Sequence, residues 1–164
     1  MKARKPAHQV EFQRLPSAQR GAWLNLLLVH RRVTQHLDAA LDELHGLTLA
    51  EWDALVHVPD GDAGVRMTDL AGRLLLSPSG LTRMMERLEK RGLVARRRGA
   101  EDARETYVAL TRQGLALLAA AAPTHNEELK AHFLHALTLD ESAALAELLG
   151  KVAAAPAACP RHPA

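Results

Sequence analysis

A chain of 164 residues, with 21 Lys and Arg against 19 Asp and Glu, has the length of one domain, or of one subunit whose core a partner completes. Its hydrophobic fraction is 48% but its aromatic fraction only 3%, so the apolar volume is mostly Leu and Ala, which favours helix. No apolar run reaches the roughly 18 residues that span a bilayer, Met1–Gln9 lacks a signal-peptide core, and the single Cys159 excludes an intramolecular disulfide or a Cys-based metal cluster.

A reducing cytoplasm is therefore the expected setting. Residues 1–17 read as a flexible basic arm, with Lys2, Arg4, Lys5 and Arg14 against Glu11. Ala18–Leu44 is a long helical pattern. Ala22, Leu26, Val29, Val33, Leu37, Ala40 and Leu44 form one apolar line, and Leu24, Leu27, Leu28 and Leu41 widen it. A stripe that wide needs more than one neighbour, so residues 18–46, closed by Gly46, are expected to serve dimerisation. Thr48 and Glu51 are spaced as a capping box, which opens a second helix running to Pro59. Asp60–Gly64 is a turn-rich loop that lacks the later bidentate Glu of a calcium loop. Val65 and Arg66 make a short strand able to pair with a later hairpin.

Met67–Leu75 is a short helical pattern, and Ser77-Pro78-Ser79-Gly80 is a capped turn into a second helix that reaches Lys90. Ser77 is a good N-cap, and Pro78 stands at the first helical position, where its missing N–H costs nothing. Leu81, Met84, Met85 and Leu88 share one face and are expected in the core. Gly92 fits a C′ residue turning the chain out of the helix. Leu93–Arg98 and Thr106–Leu110 are strand-like and flank a basic tip. Helix, turn, helix and β-hairpin in that order make residues 47–111 a winged helix-turn-helix. Between Arg66 and Arg104 ten Arg and Lys face five acids, a net +5 where the whole chain is +2, leaving the rest at −3. That asymmetry is the footprint of phosphate binding.

Thr111 N-caps a long Leu- and Ala-rich helix that Pro123 should kink or divide. Thr138 and Glu141 make a further capping box, opening a last helix with Leu145, Leu148, Leu149 and Val152 on its apolar side. Residues 112–153 are expected to join the N-terminal helix in dimerisation, and 154–164 to be a disordered tail. The expected fold is thus mostly α with a small β-hairpin wing, the winged helix-turn-helix flanked by N- and C-terminal dimerisation helices.

Several segments carry a family likeness in their order and spacing. They are Leu49-Ala50-Glu51-Trp52-Asp53-Ala54-Leu55, Thr68-Asp69-Leu70-Ala71, Leu76–Arg83, Leu88–Val94, Asp102-Ala103-Arg104 and Leu110–Gly114. Over roughly Ala18–Val152 the chain resembles the multiple antibiotic resistance regulator (MarR) family of winged-helix transcription factors. Ala103 departs from the pattern, since many members carry another Arg there. The resemblance implies a two-fold homodimer, double-stranded DNA with a palindromic operator as partner, and a small aromatic or phenolic effector between the dimer helices and the winged lobe. No cofactor is expected.

Position then assigns roles on DNA. Ser77, Ser79, Gly80 and the backbone N–H groups at the start of the recognition helix are placed to hold a phosphate. Thr82 and Arg83 project toward base edges, where Arg can fork onto guanine. Arg87, Arg97 and Arg98 are expected on backbone phosphates and Arg104 in the minor groove, with Asp102 holding Arg104 and the hairpin. The ordinary alternatives are surface ion pairs, Arg83 with Glu86 and Glu86 with Lys90, a Ser77 that only caps, and a plain soluble hairpin at Arg96–Arg98.

Trp23, His30, Arg31, Trp52 and His57 are the candidates for a ligand pocket, an aromatic wall with one cation for an aromatic carboxylate. No Gly-rich phosphate loop, His-Glu-x-x-His or nucleophile elbow points to an enzyme. Among the nine His, His132 and His135 lie three apart with His125 two turns earlier, but no carboxylate or Cys pattern completes a metal site. Cys159 is far from any helix that would relay a thiol switch. The favoured reading is a repressor released by a ligand. The alternatives are a dimeric protein-interaction module that retains the fold, a metal-responsive regulator and a metal-binding enzyme.

Overall fold

The computed structural model describes residues 14–61, 64–74, 76–99, 102 and 105–155. Most of the basic arm, the C-terminal tail with Cys159, and Arg104 lie outside the described residues. The chain order is α1 (Ser17–His45), α2 (Leu49–Val56), β1 (Val65–Arg66), α3 (Met67–Arg73), α4 (Pro78–Lys90), β2 (Val94–Arg98), β3 (Thr106–Leu110), α5 (Arg112–His132), a 3-10 turn (Leu134–Ala136) and α6 (Leu139–Ala154). The fold is mostly helical with a small antiparallel sheet, as expected.

The helix ends follow local chemistry. Thr48 with Glu51, and Thr138 with Glu141, form reciprocal capping boxes on α2 and α6. Thr111 accepts the Gly114 N–H at 3.0 Å to cap α5. Gly46 closes α1 and Gly92 follows α4 in left-handed backbone, φ 61° and 72°, which a side chain would strain. Gly114 answers a different need. A Cβ there would run into the Leu93 carbonyl oxygen, so α5 starts pressed against the chain leaving α4.

One boundary differs from expectation, and of the two outcomes expected at Pro123, a kink or a division, the division does not occur. α2 stops at Val56, three residues before Pro59, with His57 as its C-cap; the residue before a proline avoids helix, and the break spreads back from it. Pro123 lies inside α5, which continues unbroken from Arg112 to His132. Pro123 and Ala119, whose carbonyl loses its donor, are both exposed, which places the break on the solvent side of the helix.

The sheet order is β1-β3-β2, with Val65 opposite Val108 and Arg66 opposite Tyr107 on one side, Arg96 opposite Val108 and Arg97 opposite Tyr107 on the other. Val65, Val94 and Val108 face the core, so Arg96 shares their face while Arg66, Arg97 and Tyr107 share the outer one. Leu41, Leu47, Leu55, Leu70, Leu81, Met85, Leu88, Val94 and Val108 are fully buried, and Met84, nearly so, packs in the same core. α1 and α5 run antiparallel: His45 Nε2 lies 2.9 Å from Thr124 Oγ1, and nearer the α1 start His36 stacks on His132. Only Val33, Leu37 and Leu41 of α1 are buried, and no residue of α6 is. Trp23 is 51% exposed, Leu139 89% and Val152 71%, so these helices present apolar surface outward. No helix among the described residues is long and apolar enough to cross a membrane.

Candidate nucleic-acid interface

Ser77 precedes α4 in extended backbone, and its Oγ accepts the Gly80 N–H at 3.2 Å. Ser79 Oγ lies 3.4 Å from Ser77 Oγ. A Cβ at position 80 would stand 3.0 Å from that same oxygen, so Gly80 keeps the capped turn tight. The Ser77 hydroxyl is thus a cap as well as a group near the helix N-terminus, where N–H groups and the helix dipole favour an anion.

The next turn separates Thr82 from Arg83. Thr82 donates to the Pro78 carbonyl at 2.8 Å and lines a cleft of about 260 Å³ between α4 and the sheet, with Arg66, Arg96 and Thr106 among its walls. It is half-buried rather than projecting freely, because a helical threonine bonds back to the carbonyl four residues earlier. Arg83 is exposed and has no ion-pair partner among the described residues. The surface pairing of Arg83 with Glu86 and Glu86 with Lys90 is not adopted; Glu86 Oε1 instead lies 3.7 Å from Arg96 Nη1.

Arg87 is tied down more than a phosphate ligand need be. Its Nη2 lies 3.6 Å from Glu51 Oε1, while Arg91 Nη1 lies 3.3 Å from Glu51 Oε2. Glu51 is the one buried charged side chain among the described residues, and its Oε2 also accepts the Thr48 N–H at 3.3 Å. Arg91 Nη2 adds a 2.8 Å bond to the Gly46 carbonyl. One carboxylate therefore caps α2 and anchors the recognition helix. Arg87 stays 60% exposed, with other donors open to a phosphate.

On the wing, Arg96 turns inward to Glu89 on α4, with Nη2 at 2.6 Å and Nε at 2.7 Å from Oε2. The Arg96 side-chain hydrogen bond holds the Glu89 carboxyl below its ordinary value, against the opposing effect of burial. Arg97 lies over the Tyr107 ring with Cζ 5.1 Å from its centroid. Arg66 reaches the same ring at 5.8 Å, donates Nε–H to Tyr107 Oη at 2.9 Å and pairs with Glu105 Oε1 at 3.1 Å. Tyr107 first, then Glu105, raise the Arg66 guanidinium above its ordinary value. Arg66 was not singled out from sequence, because only the register of β1 against β3 brings it to Tyr107. Arg98 is exposed at the end of β2, and the Asp102 carbonyl accepts the Glu105 N–H at 3.1 Å. The expected Asp102–Arg104 contact falls outside the described residues with Arg104.

The ligand candidates do not converge as a set. A cleft of about 620 Å³ opens between α1, α2 and α5, walled by His30, Thr34, Gln35, Asp38, Leu49, Ala50, Trp52, Asp53 and His125. Of the expected residues it gathers His30 and Trp52. Trp23 stands exposed two turns before His30, and His57 turns Nδ1 to the Asp53 carbonyl at 2.7 Å. Arg31 is absent from the walls. His30, Thr34 and Asp38 share one face at the i, i+4, i+8 spacing, a signal present in the sequence. His125 stacks on Trp52 at 5.1 Å between centroids, and Asp38 Oδ1 accepts the Leu49 N–H at 2.7 Å. The cleft is thus acidic and aromatic, without the expected cation.

Known proteins share this fold. Residues 45–105 match the model of the MarR family. A helix-turn-helix-type transcriptional regulator of Bacillus cereus is 30% identical over 130 residues, 79% of this chain and 85% of that protein. AbsC, a MarR family transcriptional regulator from Streptomyces coelicolor, is 30% identical and superposes with a TM-score of 0.77 over 85% of this chain and 94% of its own. A second MarR family regulator of that organism, solved in complex with DNA, is 27% identical with a TM-score of 0.79, over 85% and 89% of the two chains. With the winged helix-turn-helix, the basic face and these similarities together, the chain belongs to the MarR family of DNA-binding transcriptional regulators, not to a family of enzymes.

Proposed function

We propose that the protein is a homodimeric repressor that reads a palindromic operator and is released from it by a small ligand. α4 enters the major groove with Arg83 on a guanine edge, and the backbone N–H groups beside Ser77, Ser79 and Gly80 hold a phosphate. The wing, with Arg97, Arg98 and Arg104, follows the adjoining backbone and minor groove, and Arg87 adds a phosphate contact. The observation that carries this reading is Arg83. It is exposed and without an ion-pair partner among the described residues, on a helix where Arg87 and Glu86 both have one.

The dimer is supported by the apolar faces of α1 and α6, where Trp23, Leu24, Leu148 and Val152 stand exposed on the single chain. Two copies double the DNA contacts and make an inverted repeat the matching site. For the ligand, the Trp52–His125 wall takes a planar ring, while Asp38 and Asp53 favour a phenolic hydroxyl over a carboxylate.

Selection from random duplex DNA with the purified protein, followed by shift assays with Arg83→Ala and Arg104→Ala, tests the reading. It expects an inverted repeat whose affinity both changes lower. If no sequence is enriched and neither change matters, DNA recognition fails and a protein-interaction role takes its place. A monomer at micromolar concentration in sedimentation would remove the dimer. Absence of heat with simple phenols and with salicylate would remove the ligand.

A further inference from the structure

We propose that His36, Glu128 and His132 bind a divalent transition-metal ion, with zinc the best match, and that this ion bridges α1 and α5 away from the DNA-reading face. Glu128 and His132 are four residues apart on α5 and so share one face of its final turns. The antiparallel packing of α1 on α5 brings in the third group, which no sequence spacing reveals. His132 Nε2 lies 3.1 Å from Glu128 Oε2. The His36 ring stacks on His132 with centroids 3.7 Å apart and planes 2° from parallel. One donor atom from each residue falls within 4.8 Å of the other two. Among the described residues no other group of three His, Cys or carboxylate side chains does so.

Two imidazole nitrogens and one carboxylate oxygen form the donor set of a three-ligand zinc site, with a fourth position left for water or a further ligand. Donors about 2.0–2.1 Å from a tetrahedral ion stand about 3.4 Å from one another. Closing the cluster around an ion therefore takes roughly 1.4 Å of donor movement and a tilt of the two stacked rings, so that their in-plane lone pairs converge, an adjustment open to side chains at partly exposed positions. His132 and Glu128 retain about a third of their side-chain exposure, so an ion reaches them from solvent. His135, the partner the sequence offered for His132, lies in the 3-10 turn after α5 and outside this cluster. An ion here pins the end of α5, just before the chain turns into α6, to the middle of α1. The site does not depend on which DNA the protein reads.

The test is calorimetric titration of the full chain, freed of metal by chelator, with zinc chloride. One ion per chain is expected to bind with micromolar or tighter affinity. His36→Ala and His132→Ala should each weaken binding at least about tenfold, and Glu128→Gln at least about threefold. His135→Ala should leave it unchanged. Should a variant misfold, the unsubstituted chain still decides: zinc must shift or broaden the assigned imidazole NMR signals of His36 and His132 before that of His135. No binding at about 100 µM zinc, affinity unchanged in either histidine variant, or shifts confined to other histidines would overturn the proposal.

Discussion

Glu89 on the recognition helix and Arg96 on the wing are joined at three points: Nη2 to Oε2 at 2.6 Å, Nε to Oε2 at 2.7 Å, and the Arg96 backbone N–H to Oε1 at 3.3 Å. Glu86 adds a fourth, looser contact to the same guanidinium. Helix and wing are therefore held together as one unit, with their spacing set in the free chain. Glu89→Gln should cost about 1 kcal/mol of stability, a low figure because the carboxylate is 37% exposed and water screens the pair. Urea denaturation measures it. A larger loss of DNA affinity than of stability would show that the pair aligns the two reading elements.

The same pair makes stability depend on acidity. The folded Glu89 carboxyl titrates below the ordinary value of 4.5 that the unfolded chain recovers. Its stabilisation is fully present above that unfolded value and fades as pH falls through the lower, folded one. The difference in urea midpoint between the wild-type chain and Glu89→Gln should be constant near neutrality and shrink across that acid window. A gap unchanged at acid pH would count against the assigned shift.

Glu51 is 8% exposed and serves two arginines and a helix cap. Glu51→Ala should cost about 1–3 kcal/mol through the lost cap and charge-assisted bonds. The cost stays moderate because Arg87 and Arg91 reach water once released. The check is the denaturation midpoint, with DNA affinity falling in parallel as α4 loses its anchor.

Two glycines on helices should respond with opposite sign to the same change. Gly114→Ala gains helix propensity but drives a methyl group into the Leu93 carbonyl, so a net loss of roughly 1–3 kcal/mol is expected. Gly72→Ala on α3 meets no atom within 4 Å and should stabilise by up to about 1 kcal/mol. Thermal melts of the two variants decide both.

On DNA, Arg83→Ala should lower affinity for the selected site by about 1–3 kcal/mol and relax one base position. Arg98→Ala should weaken all sequences alike and reduce the salt slope by about one. If Arg83→Ala behaved like Arg98→Ala, Arg83 would be a phosphate contact.

What could be read from the sequence was local. Ser77 with Pro78, Gly92, and the pairs Thr48–Glu51 and Thr138–Glu141 state their roles within four residues, and their boundaries stand in the structure. The strand at Val65 was legible because it is short, β-branched and follows a turn. What stayed hidden joins distant residues. Arg91 meets Glu51 across 40 positions, His125 stacks on Trp52, and His36 meets Glu128 and His132 only because α1 and α5 pack antiparallel.

Trp52 walls the acidic cleft, and Glu51, the residue before it, grips the recognition helix. Both belong to α2, a helix of eight residues, so a displacement of that helix as a body carries both. In the proposed function, a guest in this cleft that displaced α2 as a body would carry Glu51 with it, and with Glu51 the anchor of Arg87 and Arg91. On that reading a single peptide bond, between Glu51 and Trp52, would separate the ligand wall from the anchor of the DNA-reading helix.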